Sequence, residues 1–167
     1  MTWRGTATAQ DRFFGSLPYL LPLMEVSLLA LSYAVRFGIG LFAQFPIFSL
    51  ILVPLSPLIR VYTAFPFAGL IVFILLLSLV VRNSNISHFI RFNTMQAILL
   101  DILLIVGQMI LNLILQPALG TGLILDTLLN VVVLGILAAV SYCVAQTVLG
   151  RYAEIPTLSE AVHMQVR

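Results

Sequence analysis

Lysine is absent from this chain, and charge of either sign is scarce. The eight basic residues are all arginine, six residues are acidic, and charged residues make up 8% of the 167 positions, whereas 61% are hydrophobic. A soluble domain needs a far more polar surface, so we expect an integral membrane protein. The net charge of +2 is too small for the clustered basic face that nucleic acid requires, so no nucleic-acid partner is expected.

Cysteine and the sequence motifs of enzymes are equally scarce. Cys143 is the single cysteine and lies in an apolar run, which excludes an internal disulfide and a cysteine-rich metal site. His88 and His163 lie far apart with no ligand spacing around them. The chain contains no GxSxG, no HExxH and no glycine-rich phosphate loop. We therefore expect no enzymatic activity, no cofactor and no bound metal.

Long apolar runs dominate the remaining sequence. Each crossing of a bilayer needs about 20 residues to span about 30 Å of hydrocarbon. We predict an all-α, polytopic membrane protein with four transmembrane helices, at about residues 17–35, 65–81, 89–115 and 123–149. The expected organisation is an N-terminal interfacial segment at 1–16, a transmembrane domain at 17–150, and a cytoplasmic-side tail with a short helix at 151–167.

Prolines interrupt one further apolar stretch, residues 41–59. Pro46, Pro54 and Pro57 each remove a backbone donor, and an unpaired carbonyl is costly in lipid. We predict broken helices that lie in the interface or re-enter the bilayer, and the alternative is a fifth span.

The distribution of arginines indicates the orientation. With four spans, six arginines share one side of the membrane, and the other side carries Arg36 and Arg60. Because the arginine-rich side is normally cytoplasmic, both termini are predicted to lie there or on the equivalent side. Five spans would give a weaker split of five to three.

Two of the predicted spans carry polar side chains on one face. At about 100° per residue, these side chains fall within narrow arcs of the third and last spans. They are the candidates for lining a polar path: Asp101, Gln108, Asn112, Asp126 and Asn130. Hydrogen bonds between helices would explain the amides equally well. On the opposite side of the last span, Gly135 and Ala139 form a small-residue patch that is typical of helix association.

Asp101 is the most informative of these residues. A charged group near the bilayer centre costs roughly 2.5–3.5 kcal/mol on insertion scales, so it usually faces a protein interior or water. The nearest cation in sequence, Arg91, is ten residues away and out of reach along a straight helix. Asp101 must find another partner, keep water, or hold a proton. Glu25, inside the first span, can reach Arg36 or a neighbouring helix end, or can belong to the same polar path.

Polar residues also flank the loop before the third span. Arg82, His88, Arg91 and Asn93 are candidates for interfacial contacts with lipid phosphates, since membrane headgroups attract arginine. We therefore expect membrane lipids as partners. A chain this small is also expected to need self-association or other subunits to enclose a pore.

Three blocks of the sequence resemble one family. The blocks are DRFFGSLPYLLPL from Asp11, VVRN running into ISHFIRFNTMQAILLDILL between Val80 and Leu104, and GRYAEIPTLSEAV from Gly150. Together they resemble the twenty-kilodalton subunit of the translocon at the inner envelope of chloroplasts, in its compact cyanobacterial form. The chain lacks the long N-terminal extension of plant members, which indicates a cyanobacterial or plastid-encoded protein.

The resemblance implies a function as well as a fold. It implies four transmembrane helices with both termini stromal or cytoplasmic, in a plastid inner envelope or a cyanobacterial plasma or thylakoid membrane. It implies a component of a protein translocation apparatus and of its conducting channel, with other translocon subunits and a translocating polypeptide as partners. It implies no catalytic residue and no cofactor. The residues by themselves leave open a small-solute permease or a structural subunit of a membrane complex.

Overall fold

The structure is a computed structural model that describes residues 7–155 and 158–166. Within those ranges every regular element is helical and no strand occurs, as expected of apolar segments that must satisfy their own backbone groups in lipid. The all-α prediction is confirmed. Residues 1–6, 156, 157 and 167 of the two predicted terminal segments lie outside the described residues.

The first long helical stretch extends over Ala9–Phe37. It comprises α1 (Ala9–Ser16), a 3-10 turn (Leu17–Tyr19) and α2 (Leu20–Phe37). A capping box begins α1, because Thr8 Oγ1 accepts a hydrogen bond from the Asp11 amide while the Asp11 carboxylate accepts one from the Thr8 amide. The stretch therefore begins at a well-defined residue just outside the apolar run.

The two middle elements differ from the prediction. After the short α3 (Leu41–Gln44), a 3-10 helix (Pro46–Ile51) leads directly into α4 (Leu52–Ala64). Together Pro46–Ala64 has 19 residues and a mean hydropathy of 1.7, so it is long enough to cross a membrane. By contrast, the segment predicted to span at 65–81 contains α5 (Ala68–Leu75), of 8 residues, and a π-helical segment (Leu76–Val81), of 6 residues.

The positions of the prolines explain this difference. Pro46 is the first residue of its 3-10 helix and Pro54 lies in the first turn of α4, where an amide hydrogen has no partner within the helix. Of these three prolines, Pro57 is the one that lies beyond the first turn, in the interior of α4. A sharp turn separates α4 from α5, with Phe65 extended before Pro66 and Phe67 at a φ of 63°.

The remaining helices lie in the C-terminal half. α6 (His88–Ile110) continues through a π-helical segment (Leu111–Leu115) into α7 (Gln116–Leu119), and α8 (Leu123–Val148) and α9 (Leu158–Gln165) follow. Among the described residues, four helices are long and apolar enough to cross a membrane, and one apolar helix is shorter. The predicted fold class is confirmed in this form.

The chain divides into two compact units. The first comprises Met1–Leu21, Gly69–Leu99 and Ala139–Arg167, and the second comprises Pro22–Ala68 and Leu100–Ala138. In the first unit, α9 packs Val162 and Val166 onto a hydrophobic cluster with Phe92, Met95 and Ile98. In the second unit, buried side chains of α2 and α8 include Val26, Leu29, Leu125 and Leu129.

Candidate functional site

The five residues predicted to line a polar path all belong to the second unit. Four of them make contacts that fall into three groups, around Asp101, around Asn112, and around Asp126 with Asn130. Gln108 is half-buried on α6. The sequence therefore identified residues of one unit, while their partners become apparent only in the structure.

Asp101 lies where three helices of the second unit come together. Its side chain is 2% exposed, and its Oδ1 atom has no hydrogen-bond partner among the described residues. Glu25 of α2 repels it electrostatically. Tyr62 of α4 donates a hydrogen bond to Glu25 Oε1 and interacts electrostatically with both carboxyl groups. Glu25 is therefore bonded to Tyr62 and interacts electrostatically with Asp101 within the second unit.

Asp126, in the first turn of α8, is fully engaged in hydrogen bonds. Its Oδ1 accepts from the Gly40 amide at 2.7 Å and from Asn130 Nδ2 at 3.3 Å, and its Oδ2 accepts from Gln44 Nε2 at 2.5 Å. These bonds connect α8 to the turn before α3 and to α3 itself. Asn130 Oδ1 is buried without a partner among the described residues. Asp126 thus stabilises the turn at Gly40, between α2 and α3.

Asn112 has a tyrosine partner as well. Tyr33 of α2 is 2% exposed, and its hydroxyl donates to Asn112 Oδ1 at 2.6 Å. Sequence reasoning missed Tyr33, Tyr62 and Gln44 because these residues lie on elements distant along the chain from the groups that they contact. A polar side chain within an apolar helix was the one signal that could have drawn attention to them.

The predicted lipid-phosphate residues lie in the first unit. Arg82 is exposed, and Arg91 Nε donates to the Val81 carbonyl at 2.8 Å. Both ring nitrogens of His88 also have partners within the protein. Its Nδ1 lies 3.1 Å from the Tyr152 hydroxyl and its Nε2 lies 3.3 Å from the Val166 carbonyl. His88 therefore contacts the C-terminal segment.

Asn93 differs from its predicted interfacial position, because it is 0% exposed. Its Oδ1 accepts from the Tyr19 hydroxyl at 3.0 Å and from the Thr147 hydroxyl at 2.7 Å, and its Nδ2 donates to the Phe89 carbonyl at 2.8 Å. The face of α6 that carries Asn93 is covered by other helical residues of the unit. Asn93 is thus an internal hydrogen-bonding centre.

The three blocks of sequence that carry the family resemblance contact one another in the first unit. Ser87 of the second block donates to Asp11 Oδ1 of the first at 2.6 Å. Gly150 of the third block has a φ of +74°, and a Cβ atom there would lie 2.8 Å from Arg12 Nε. The Tyr152 ring packs edge-on against Phe92, with centroids 4.9 Å apart. Residues of the three blocks are thus in direct contact with one another.

Comparison with known proteins agrees with these blocks. A family model described as "Chloroplast import apparatus Tic20-like" matches residues 9–162. The chain belongs to the Tic20 family. It is therefore related to translocon components, as the three blocks predicted.

Individual relatives show the same membership. The chain is 48% identical over 167 residues to a Tic20 family protein of Synechocystis sp., which covers 100% of this chain and 99% of the relative. It is 35% identical over 159 residues to "Protein TIC 20-v, chloroplastic" of Arabidopsis thaliana, with 95% of this chain and 72% of the relative covered. It is 31% identical over 166 residues to "Tic20 family protein Ycf60" of Gracilaria tenuistipitata, with 95% and 76% covered. The prediction of a cyanobacterial-type member is confirmed.

Proposed function

We propose that this protein is a membrane-embedded component of a protein translocation apparatus, and that its second unit contributes polar side chains to a path for the translocating polypeptide. Family membership supports the first part, since the matching family is described as a chloroplast import apparatus. The observation that supports the second part is that five polar residues of two long apolar helices lie in one unit. These residues are Asp101, Gln108, Asn112, Asp126 and Asn130. Their role would be to solvate a passing chain, without chemistry.

The remaining parts of the proposal concern surroundings and orientation. We place the protein in a cyanobacterial plasma or thylakoid membrane or a plastid inner envelope, with both termini cytoplasmic or stromal. The distribution of arginines supports this orientation. Arg82, His88 and Arg91 would contact lipid phosphates. Other translocon subunits or further copies of the chain would complete the path.

The test of a path measures whether water reaches it. Cysteines placed at Gln108 and Asn112, in a Cys143→Ala background, should react with a membrane-impermeant thiol reagent in intact membranes. Cys143 is 0% exposed, so its removal eliminates background without opening a surface. The control position is Leu113, which lies next to Asn112 on the π-helical segment and is apolar and 69% exposed. A cysteine there should resist the reagent because it faces lipid.

An arrested translocating polypeptide should protect the cysteines at 108 and 112 from the reagent. Equal resistance at 108, 112 and 113 would contradict the path, because all three positions would then be shielded from water. Equal reactivity at the three positions would show that the reagent reports membrane penetration and would also contradict it.

A second candidate, a structural subunit of a membrane complex, is favoured by one observation. Asn112 and Asp126 already make hydrogen bonds within the unit, as polar residues do when they hold helices together. In that case Asp101→Asn should leave function intact. Leucine at Gly135 and Ala139 should instead reduce recovery of the complex, since a Cβ atom at Gly135 meets nothing within 4 Å in this chain.

A further inference from the structure

We propose that Glu25 and Asp101 form a proton-binding carboxyl pair in the second unit, in which Asp101 carries the proton and Glu25 accepts a hydrogen bond from Tyr62. The pair would be a proton-responsive element within a membrane-embedded bundle. This assignment is independent of the polypeptide path, so either proposal can fail without the other.

The first argument is a contrast between two aspartates of the same unit. Asp126 accepts hydrogen bonds from the Gly40 amide, Gln44 and Asn130, which satisfy an ionised carboxylate. Asp101 is more deeply buried, and its Oδ1 has no partner among the described residues. A buried carboxylate without donors is strongly disfavoured, and it becomes neutral by binding a proton.

The second argument concerns the charges that act on Asp101 from the helices around it. Glu25 of α2 acts on it by repulsion, and the titratable group contributed by α4 is Tyr62. Arg36 of α2 lies over the Phe37 ring at 5.1 Å, and Arg60 of α4 is exposed. Glu25 is half-buried, so its like charge adds to the cost of ionising the more deeply buried Asp101. The site therefore favours a proton on one of the two carboxyl groups.

The third argument decides which carboxyl group holds it. A tyrosine has one O–H donor, and Tyr62 donates it to Glu25 Oε1. This bond stabilises Glu25 as the acceptor, whereas no described residue donates a hydrogen bond to Asp101 Oδ1. The proton therefore resides on Asp101, whose neutral acid group tolerates burial.

A metal cation fits the site less well than a proton does. Ca²⁺ takes about six to eight oxygen ligands and Mg²⁺ requires near-octahedral geometry. Among the described residues, no third Asp, Glu, His or Cys joins Glu25 and Asp101. A proton needs a single oxygen. Its loss would leave two negative charges between α2, α4 and α6, so the packing of these helices depends on proton uptake.

The experiment labels the full-length protein in proteoliposomes with a hydrophobic carbodiimide, dicyclohexylcarbodiimide, and locates the adduct by peptide mass spectrometry. This reagent takes the proton of a neutral carboxylic acid onto its nitrogen, and the carboxylate oxygen then adds to its central carbon to give an O-acylisourea. The acyl group then migrates from that oxygen to the neighbouring nitrogen, so the C–O bond to the acyl group breaks, an N-acyl bond forms, and the stable N-acylurea retains all atoms. We expect the label on Asp101 at neutral pH and its progressive loss as the pH rises. Asp126 should remain unlabelled.

Two variants sharpen this test. Asp101→Asn should lose the adduct, and Asp126→Asn is the matched control that should retain it. Tyr62→Phe should allow part of the label to form on Glu25, because Glu25 Oε1 then lacks the Tyr62 donor. Infrared spectra give a second measurement: the carbonyl stretch of a protonated acid should be present in the wild-type protein, shift in D2O, and vanish in Asp101→Asn alone.

Several results would overturn the proposal. Wild-type protein without a label on Asp101, and without the protonated-acid band, would show that Asp101 is ionised. Protection of Asp101 by sodium or calcium at constant pH would identify a metal-cation site instead. An unchanged pattern in Tyr62→Phe would contradict the role of Tyr62. Because the wild-type measurements are decisive by themselves, a variant that fails to fold does not block the test.

Discussion

At the residue scale, buried polar side chains of this protein differ in how completely their hydrogen bonds are made. Asn93 has hydrogen-bond partners for both polar atoms of its side chain, Oδ1 and Nδ2. Gln96, one turn further along α6, donates to Cys143 Sγ at 3.3 Å, but its Oε1 has no partner among the described residues. Since sulfur is a weak acceptor, the Asn93 group is the stronger of the two connections within the first unit.

The hydroxyl of Tyr19 provides a test of that connection. Tyr19→Phe removes the donor to Asn93 at a site that is 1% exposed, and we expect a loss of about 0.5–1.5 kcal/mol in the free energy of unfolding. Tyr142→Phe is the matched control, because Tyr142 is 43% exposed and should change stability by less than about 0.5 kcal/mol. Thermal unfolding of both variants in detergent measures the difference. Equal losses of stability in the two variants would mean that the buried Tyr19 hydroxyl stabilises the protein no more than the exposed Tyr142 hydroxyl does.

At the element scale, the turn between α2 and α3 depends on glycine. Gly40 has a φ of 92° and a ψ of 173°, a conformation that is essentially restricted to glycine. A Cβ atom there would lie 2.8 Å from Leu129 Cδ2, and Leu129 is fully buried with little room to move. The Gly40 amide also donates to Asp126. Backbone conformation, packing and hydrogen bonding thus coincide at one residue.

Alanine at Gly40 should therefore destabilise the second unit. We expect a loss of about 2–4 kcal/mol, from backbone strain together with overpacking against Leu129. Gly38→Ala is the control, since Gly38 has a φ of +67° but a Cβ atom there would meet nothing within 4 Å, so strain alone should cost about 1–2 kcal/mol. The measurement is thermal unfolding of each variant. A smaller loss at Gly40 than at Gly38 would show that the turn adjusts freely.

At the scale of the whole molecule, helix length leads to a specific topology. Pro46–Ala64 is long enough to cross, whereas Ala68–Val81 is shorter than a bilayer requires. Cysteines at Gln10, Phe67 and Asn85 should then react from one side of the membrane, and a cysteine at Thr121 from the other. The measurement uses an impermeant thiol reagent on oriented membranes in the Cys143→Ala background.

Each alternative topology gives a different labelling pattern. If Ala68–Val81 crosses in place of Pro46–Ala64, position 67 reacts together with 121, while positions 10 and 85 stay together. If five helices cross, position 10 and position 85 react from opposite sides. Either pattern would contradict the topology that the helix lengths indicate.

The sequence was sufficient for the all-helical class, for the number of long apolar helices and for the family. Composition and run length decide these features, because lipid leaves a backbone no partner except its own helix. The three blocks around Asp11, His88 and Gly150 were also recognisable, since a family motif is a fixed order of residue types that can be read directly from the sequence. The sequence could not fix the helix boundaries around 41–59, because the cost of a proline depends on its place within a turn and that place is decided by neighbouring residues.

The tertiary structure alone decided how the polar residues are used. Helical periodicity placed Asp101, Asn112 and Asp126 on faces, but it could not say which helix covers each face. Packing brought Glu25 within electrostatic range of Asp101, the Tyr33 hydroxyl to Asn112 and the Gly40 amide to Asp126. It also buried Asn93, which the sequence had indicated at the interface. Side-chain partners between distant elements depend on how helices dock, and no local pattern encodes that docking.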